Sequence, residues 1–534
     1  IYIKMLNNKK SKIDKTYYCG LGNAYCISVD SPDSLFVLEN DILSHNTTMS
    51  LALTELKQSY PLLVVAPLSA FSTWTRQLEE LNKKTFLATG KPSLIWDELT
   101  SKKYEAVIIS YDRLSMFYDA IAEYGFSSVI VDEIQRIRTP SSKRSRILRQ
   151  IAAHIPNRIG LSGTPLTNTV NDLLPVGSFL VPSEWPSRAS SKTLEDLYPN
   201  DPVEQIAEHL SSIMVRRKMT EVGANLPKRH DHRILVDLTL QQRKALEDLE
   251  NAAAASAREG FFEDKSNRMH AFAKLQTMRQ IINTPSLHNV KGGNPKIEYA
   301  IDLAQSFINS GRKGVIFCAD RTSFKEISER LVEENIKFVK IWGSTPPLER
   351  ISAEKTFHSD PETKLVLCTI QAGSESWSAS PTATWLISTA YMYAPSVLAQ
   401  MEARVYRMNS DPNGPDIDIC YLHASAPNGT LDDRMVEILE NKKYLFAKVV
   451  DRDIHTDTTK LHYSMNDLMY LLTGNSPEQQ PLIGSIDNKN VTRYTGKSNT
   501  KPILTKSRTK IPNKNSKNDQ DGLFSDLELD NLSY

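Results

Sequence analysis

Two adjacent carboxylates, Asp132 and Glu133, directly follow the apolar run Val129-Ile130-Val131. The run has the composition of a short buried strand, and parallel strands of an α/β sheet bring their carboxyl ends to one edge, where phosphate ligands bind. At such an edge Asp132 is suited to hold Mg²⁺, directly or through water, and Glu133 is suited to orient or deprotonate an attacking water. A solvated turn explains the two acids equally well, so these residues alone do not distinguish a cation and phosphate site from a turn.

The chain has 534 residues and a formal net charge of +1, enough length for several domains and no overall field that selects a partner. It contains no run of about 20 apolar residues and no signal peptide, so we expect no membrane partner and a cytoplasmic location, in a bacterial cell or a phage-infected host. Its five cysteines are scattered and odd in number, which favours a reducing compartment. Because the chain begins at Ile1, we expect a fragment or a partner of another chain.

Residues 1–46 contain two β-like runs, Tyr25–Val29 and Leu35–Leu38, separated by a turn, and they end in His45-Asn46 before Thr47. This order resembles the C-terminal segment of inteins, the self-splicing protein elements. The resemblance implies that the side-chain amide of Asn46 attacks its own main-chain carbonyl, while His45 polarises the scissile peptide. The hydroxyl of Thr47 would take the upstream acyl group as the nucleophile and would pass it to its own amine once that amine is freed.

Cys26 lies in the first of these β-like runs, where the commonest inteins have Asp. Some inteins place a Cys there and use it as the first nucleophile. A half-buried thiol without a role in splicing is the alternative interpretation.

The residues after the His-Asn pair predict a helix, because the apolar positions Met49, Leu51, Leu53 and Leu56 recur at helical spacing. A helix entered through two threonines resembles the second half of a P-loop, G-x-x-x-x-G-K-[ST], but no Gly-Lys precedes Thr47. We therefore expect an N-terminal intein and extein fragment, encoded in cis or in trans, to supply the Gly-Lys.

We expect ATP and Mg²⁺ as cofactors, and their binding depends on the completion of this loop. Thr47 and Thr48 would contact the nucleotide, and Thr47 would share the Mg²⁺ with Asp132. Without the loop the triphosphate lacks its main anion site, so the unspliced chain should be a poor ATPase.

Residues 47–450 resemble a Swi/Snf-type motor of the superfamily-two helicases. The resemblance rests on the order of short motifs, namely Val64–Ser69 with Trp74, Val107–Tyr111, Asp132–Gln135, Leu161–Asn168, Ile370–Ser376, and Gln400 with Arg404 and Arg407. Gln135 replaces the His that many members have, and Ser374 and Ser376 stand where many have glycine.

The resemblance also implies roles for individual residues. Gly163, Thr164 and Gly373 would line the nucleotide site. Gln400, Arg404 and Arg407, spaced by four and three, are expected on one helical face, with the two arginines as candidate arginine fingers.

We therefore predict an α/β fold with two RecA-like parallel-sheet lobes and a helical insertion, preceded by the short β-rich intein segment. The expected boundaries are 1–46 for the intein segment, 47–180 for the first lobe, 181–295 for the helical insertion and inter-lobe connection, 296–450 for the second lobe, and 451–534 for a partly disordered tail, basic then acidic. The basic stretch 489–517 is expected to be disordered.

The predicted function is that of a precursor whose splicing completes an ATP-driven translocase on double-stranded DNA. Two alternatives stay open, an RNA helicase and a DNA-binding remnant without catalysis. The pathway and the choice between strand separation and translocation are not decided by the sequence.

Overall fold

A computed structural model describes the backbone of five strands within residues 2–45 and most of the chain from residue 46. The described residues after that point are 46–166, 169–182, 185, 194, 202–217, 226–258, 268–373, 377–407, 414–450, 470–473 and 491–494. Within these residues no helix combines the length and the hydropathy that crossing a membrane requires.

The elements as far as residue 217 are β1 (Tyr2–Met5), β2 (Lys10–Lys12), β3 (Ala24–Val29), β4 (Leu35–Leu38), β5 (Ile42–His45), α1 (Asn46–Leu56), β6 (Leu62–Val65), α2 (Phe71–Glu80), β7 (Thr85–Leu87), α3 (Pro92–Thr100), β8 (Ala106–Ile109), α4 (Tyr118–Tyr124), β9 (Ser128–Asp132), α5 (Lys143–Ala152), β10 (Asn157–Ser162), α6 (Leu173–Leu180), α7 (Pro202–Ile213) and β11 (Met214–Arg217).

The later elements are β12 (Arg229–Asp237), α8 (Leu240–Arg258), α9 (Arg268–Asn283), α10 (Pro295–Asn309), β13 (Lys313–Cys318), α11 (Arg321–Glu333), β14 (Phe338–Ile341), α12 (Pro347–Ser359), β15 (Leu365–Thr369), α13 (Ile370–Gly373), β16 (Ala383–Ser388), α14 (Pro395–Glu402), β17 (Ile417–Ser425), α15 (Leu431–Val450) and β18 (Val491–Tyr494).

Two seven-stranded parallel sheets organise the chain, and we call them with their helices the first and second lobes. Strand order is β11-β3-β10-β9-β6-β8-β7 in the first and β14-β15-β13-β16-β17-β12-β18 in the second. Strands such as β6, β8 and β15 are buried along their whole length, because helices cover both faces of a parallel sheet. The predicted pair of parallel-sheet lobes is confirmed.

Alternate residues of each strand pack on opposite faces of its sheet. Leu63 and Val65 of β6 belong to one apolar cluster of the first lobe, whereas Leu62 and Val64 belong to the other. The close packing leaves no room for a side chain at Gly314 of β13, where a Cβ would lie 2.1 Å from an indole carbon of Trp385.

Helix α15 packs against both lobes. Its first half, including Met435 and Leu439, lies in the core of the second lobe. Its second half, including Leu445 and Val449, packs with residues of α6 and α7 from the first lobe. One helix therefore connects the two cores.

A buried ion pair also ties α15 to the second lobe. The ammonium of Lys296, at the start of α10, donates to Oδ2 of Asp432 at 2.6 Å. It also donates to Oδ1 of Asn283 in α9 and to the carbonyl of Thr389, both at 3.1 Å. Three acceptors thus satisfy the three donors of the ammonium.

Three expectations need correction. The segment 181–295 also contains β11 and β12, which complete the first and second sheets, so it is not only helical. The edge strand β18 lies within the basic stretch that we expected to be disordered. Leu56, one of the apolar positions that recur at helical spacing in α1, is 49% exposed.

The segment before residue 46 is divided between two sheets. Strands β1, β2, β4 and β5 form an antiparallel sheet, whereas β3 lies in the first lobe, parallel to β10 and β11. The predicted β character of this segment is confirmed.

Candidate nucleotide and nucleic-acid site

The predicted acidic pair lies at the carboxyl end of β9, a strand flanked by β6 and β10 within the first sheet. The indole Nε1–H of the fully buried Trp74 donates to Oδ2 of Asp132 at 3.0 Å. The hydroxyl of Tyr111 donates to the carbonyl oxygen of Asp132 at 2.5 Å. Two buried aromatic residues thus fix the position of this carboxylate.

Burial raises the pKa of the Asp132 carboxyl, and the hydrogen bond from Trp74 and the charge of Arg136 act in the opposite direction. A half-buried carboxylate at a strand end is a suitable oxygen ligand for a hard divalent cation, whose charge would reverse the effect of burial. Within the described residues no group of three or more His, Cys, Asp or Glu side chains is placed to hold a metal.

Glu133 belongs to a chain of hydrogen bonds that joins the ends of β9 and β10. Its backbone is left-handed, with φ of +53°. Its carboxylate accepts from Nε2 of the buried Gln135, and the hydroxyl of Ser162 donates to Oε1 of Gln135 at 2.7 Å. The backbone N–H of Thr164 in turn donates to the hydroxyl of Ser162 at 3.0 Å.

This chain places Gly163 and Thr164 in the loop beside the acidic pair, both partly exposed. The sequence motifs indicated that Gly163 and Thr164 line the nucleotide site, but they did not indicate the hydrogen-bonded connection through Gln135 and Ser162. Thr167 and Asn168 of the same motif lie outside the described residues.

The start of α1 lies where a phosphate loop is expected. Strand β3 occupies a position next to β10, α1 begins at Asn46, and the hairpin β4–β5 stands between them. Thr47 is 9% exposed, and its carbonyl accepts a hydrogen bond from the hydroxyl of Ser50 at 2.7 Å. Thr48 follows in the first turn of the helix, and is partly exposed. The side chains of Cys26, His45 and Asn46 lie outside the described ones.

Residues 30–46 contain neither glycine nor lysine. A phosphate loop needs glycines, so that consecutive backbone N–H groups can surround the phosphates, and a lysine that reaches them. The residues of this chain therefore fit the cation of a Mg²⁺–nucleotide at Asp132, but they do not fit its triphosphate.

The expected helical face of Gln400, Arg404 and Arg407 is wrong, because α14 ends at Glu402. Both arginines follow in a turn, in which Nε of Arg404 donates to the carbonyl of Gln400 at 3.2 Å. Nε of Arg407 donates to the carbonyl of Ala403 at 2.7 Å.

Arg404 is also tied to the segment that follows the fifth motif. Its Nη1 donates to the carbonyl of Trp377 at 2.7 Å, and its own carbonyl accepts from the backbone N–H of Ala379 at 2.8 Å. Glu354 of α12 lies near both arginines, which oppose the increase in its pKa that burial causes. These contacts assign Arg404 a structural role in addition to the predicted catalytic one.

Gly373 ends α13 in the core of the second lobe. A Cβ at this position would lie 2.7 Å from Cβ of Cys368 and 2.7 Å from a ring carbon of Phe317. Packing therefore explains the glycine without a nucleotide contact. Residues 374–376 lie outside the described residues.

A cleft of about 560 Å³ opens at the carboxyl ends of β13, β14, β15 and β16 in the second lobe, beside α9. Its lining is polar and basic, and it includes Arg279, Arg321, Arg350, Thr369 and Gln371. The sequence motifs identified the strand ends, but they did not predict that α9 forms one wall.

Two parallel-sheet lobes joined by a bracing helix, with an acidic strand end and a basic cleft, define the class of two-lobed helicase-like proteins. A family profile described as the SNF2-related domain matches residues 2–287, and one described as the helicase conserved C-terminal domain matches residues 295–409. The chain belongs to the SNF2-related family.

Individual relatives are similar over much of this chain. The "DNA annealing helicase and endonuclease ZRANB3" of Bos taurus is 27% identical over 411 residues, which are 72% of this chain and 36% of the relative. The "ISWI chromatin-remodeling complex ATPase ISW1" of Saccharomyces cerevisiae is 24% identical over 346 residues, 59% of this chain and 30% of the relative. The chain thus spans about a third of the length of these relatives.

Among solved structures, the Sulfolobus solfataricus SWI2/SNF2 ATPase core in complex with dsDNA is similar at 17% identity and a TM-score of 0.35. The similarity covers 81% of this chain and 89% of that one.

Proposed function

We propose that this chain is a precursor whose splicing to an upstream polypeptide completes an ATP-driven translocase on double-stranded DNA. One observation carries the proposal. The family's motifs are present from Asp132 to Arg407, yet the residues between β3 and α1 hold neither glycine nor lysine and end in His45-Asn46-Thr47. The acidic pair of the first lobe and the arginines of the second are thus present in this chain, whereas the phosphate-binding loop between β3 and α1 is not.

The splice would proceed at the peptide bond between Asn46 and Thr47. The side-chain nitrogen of Asn46 attacks the main-chain carbonyl carbon of Asn46, which closes a succinimide and releases the amino group of Thr47. The acyl group of the upstream segment, already carried on the hydroxyl of Thr47, then moves to that amine and forms a peptide bond. Cys26 would act on the upstream junction, and Cys26→Ala should slow the splicing.

ATP and Mg²⁺ are the cofactors of the completed motor. Asp132 and Thr47 would hold the cation, the donated Gly-Lys segment would bind the phosphates, and Glu133 would orient the attacking water. Arg407 would stabilise charge on the transferred phosphoryl group. Gln400 and Arg404 would hold the turn in which Arg407 lies.

Double-stranded DNA is the proposed substrate. The names of the relatives include DNA annealing and chromatin remodelling, and the second-lobe cleft carries arginines, whose charge suits a phosphate backbone. ATPase stimulation by duplex DNA, compared with stimulation by duplex RNA, separates this substrate from that of an RNA helicase.

A second candidate function is a DNA-binding protein that does not hydrolyse ATP. Two observations favour it, the family match that starts at residue 2 and the position of β3 within the first sheet. On this hypothesis residues 24–46 are the chain's own, altered phosphate loop.

Co-expression with an N-terminal intein and extein fragment that carries the P-loop Gly-Lys tests the proposal. We expect a ligated product in which Thr47 follows an upstream lysine, and we expect Asn46→Ala to abolish it. Intact-mass spectrometry distinguishes the ligated product from the unprocessed chain. If no ligated product forms, and the chain binds DNA but does not hydrolyse ATP, the second candidate function is correct.

A further inference from the structure

The second-lobe cleft contains three arginines, and two of them are occupied by backbone carbonyls. The guanidinium of Arg350 donates to the carbonyls of Thr345, Ala372 and Trp342 at 3.1, 3.2 and 3.3 Å. Arg279 donates to the carbonyl of Tyr391 at 3.1 Å. These two side chains therefore hold the walls of the cleft together.

Arg321 differs from both. It is exposed, and within the described part of the chain it makes no hydrogen bond or ion pair. Its guanidinium carbon lies 5.2 Å from the ring centroid of Trp342. A guanidinium that stacks on an aromatic face keeps its N–H edge available for a bidentate acceptor such as phosphate.

Trp342 is itself held in place. Its ring stacks on Phe324 of α11, with centroids 5.7 Å apart and an interplanar angle of 14°. Phe324 is 6% exposed and lies three residues after Arg321, so both side chains are on the same side of the helix. The indole thus bridges a buried ring and the guanidinium, which reduces the conformational freedom that Arg321 would lose on binding a ligand.

Asp320, which precedes Arg321 in the sequence and also lines the cleft, has other partners. Oδ1 of Asp320 accepts from the backbone N–H groups of Thr322 and Ser323, both at 2.9 Å, and so caps α11. Its Oδ2 accepts from the hydroxyl of Thr284 at 2.8 Å. The cap occupies the first N–H groups of the helix, which leaves the side chain of Arg321 as the donor towards the cleft.

We propose that Arg321, positioned over the ring of Trp342, binds a backbone phosphate of the nucleic acid in the second-lobe cleft. The inference rests on the proposed action on DNA, and it names the residue that contacts the strand and the residue that positions it. Trp342 is a positioning residue, since it acts through Arg321.

Fluorescence anisotropy with a labelled DNA duplex, measured on the full chain without nucleotide, tests the inference. Because each phosphate contact contributes about 0.9 to the slope of log K against log salt, Arg321→Gln should reduce that slope by about 0.9 and weaken binding about eightfold near 0.1 M salt. Arg330→Gln is the matched control, because it removes the same charge from the opposite side of α11. It should leave the slope unchanged.

Variants of Trp342, the positioning residue, leave the net charge unchanged. An effect of these variants on DNA binding therefore cannot come from a general loss of charge. Trp342→Phe keeps an aromatic face and should retain the slope, whereas Trp342→Leu should weaken binding with the net charge unchanged. DNA should quench the fluorescence of Trp342 in the unaltered chain. The emission that is missing from Trp342→Leu should therefore be the emission that DNA quenches in the unaltered chain.

The possible failures are distinguishable. If the chain binds duplex DNA and Arg321→Gln has the affinity and slope of the unaltered chain, only this inference is overturned. If the unaltered chain binds no duplex DNA, the proposed substrate and this inference fail together. If Arg321→Gln weakens retention of ATP and leaves DNA binding intact, the phosphate belongs to a nucleotide and the inference is wrong.

Discussion

Replacing Lys296 by methionine should destabilise the second lobe by about 3–5 kcal/mol in the free energy of unfolding. The side chain is 1% exposed, and its ammonium donates to Asp432, Asn283 and Thr389. Methionine fills nearly the same volume but donates no hydrogen bond. The variant therefore tests the ion pair and its hydrogen bonds rather than a cavity.

The size of the expected loss in the free energy of unfolding follows from the carboxylate of Asp432, which the substitution leaves without its partner. Burial lowers the pKa of Lys296, and the neighbouring Asp432 opposes that change. In Lys296→Met the buried carboxylate of Asp432 keeps the hydrogen bond from the backbone N–H of Ala424, at 2.8 Å, but loses its salt-bridge partner. Removal of one partner from a buried pair is costly, whereas removal of both charges is much less so. Lys296→Met/Asp432→Asn should therefore recover at least half of the loss.

Urea unfolding followed by tryptophan fluorescence measures these differences, and the exposed Lys325→Met serves as control, with a change of at most about 0.5 kcal/mol. In Lys296→Met the unpaired carboxylate binds a proton more tightly in the folded lobe than in the unfolded chain, so its deficit should shrink as the pH is lowered. A loss below about 1 kcal/mol, or a double variant less stable than Lys296→Met, would show that the buried ion pair does not stabilise the second lobe in this way.

Two further predictions concern the first lobe and the motor. Burial raises the pKa of Asp132, so the folded protein holds this proton more tightly than the unfolded chain, and stability is lost as the pH rises through the raised value. Without Mg²⁺, Asp132→Asn should thus melt at a higher temperature than the unaltered chain at neutral pH and at the same temperature at low pH; a lower melting temperature at neutral pH would contradict this. Arg407→Ala in the spliced protein should keep ATP binding and lower hydrolysis by about 10³-fold or more, and near-normal turnover would remove Arg407 from the catalytic site.

The strands that the sequence predicted are those with apolar side chains on both faces. Val64-Val65 and Val129–Val131 are examples, since a parallel strand covered on both sides is apolar along its length. Strand β12 was not predicted because it begins Arg-His-Asp-His-Arg. The structure pairs these residues with acids of the neighbouring strand, as in His232 with Asp418 at 2.7 Å, and so accommodates polar side chains within the sheet.

In the candidate site, too, the sequence indicated some features and not others. The residue types at Asp132 and Glu133 indicated their chemistry, because that depends on local sequence. The contact of Trp74 with Asp132 joins residues 58 positions apart, and no spacing rule links them. Arg321 and Trp342 likewise meet only because β13 and β14 both end at the cleft.

On the proposed function, the nucleotide site lacks its phosphate-binding half until splicing supplies it. DNA-stimulated ATP hydrolysis by the purified chain should therefore be measured before and after its ligation to the upstream polypeptide, with the mass of each species determined on the same sample. We expect hydrolysis only by the ligated product, which lacks residues 1–46. Hydrolysis by a chain that retains His45 and Asn46 would contradict this expectation.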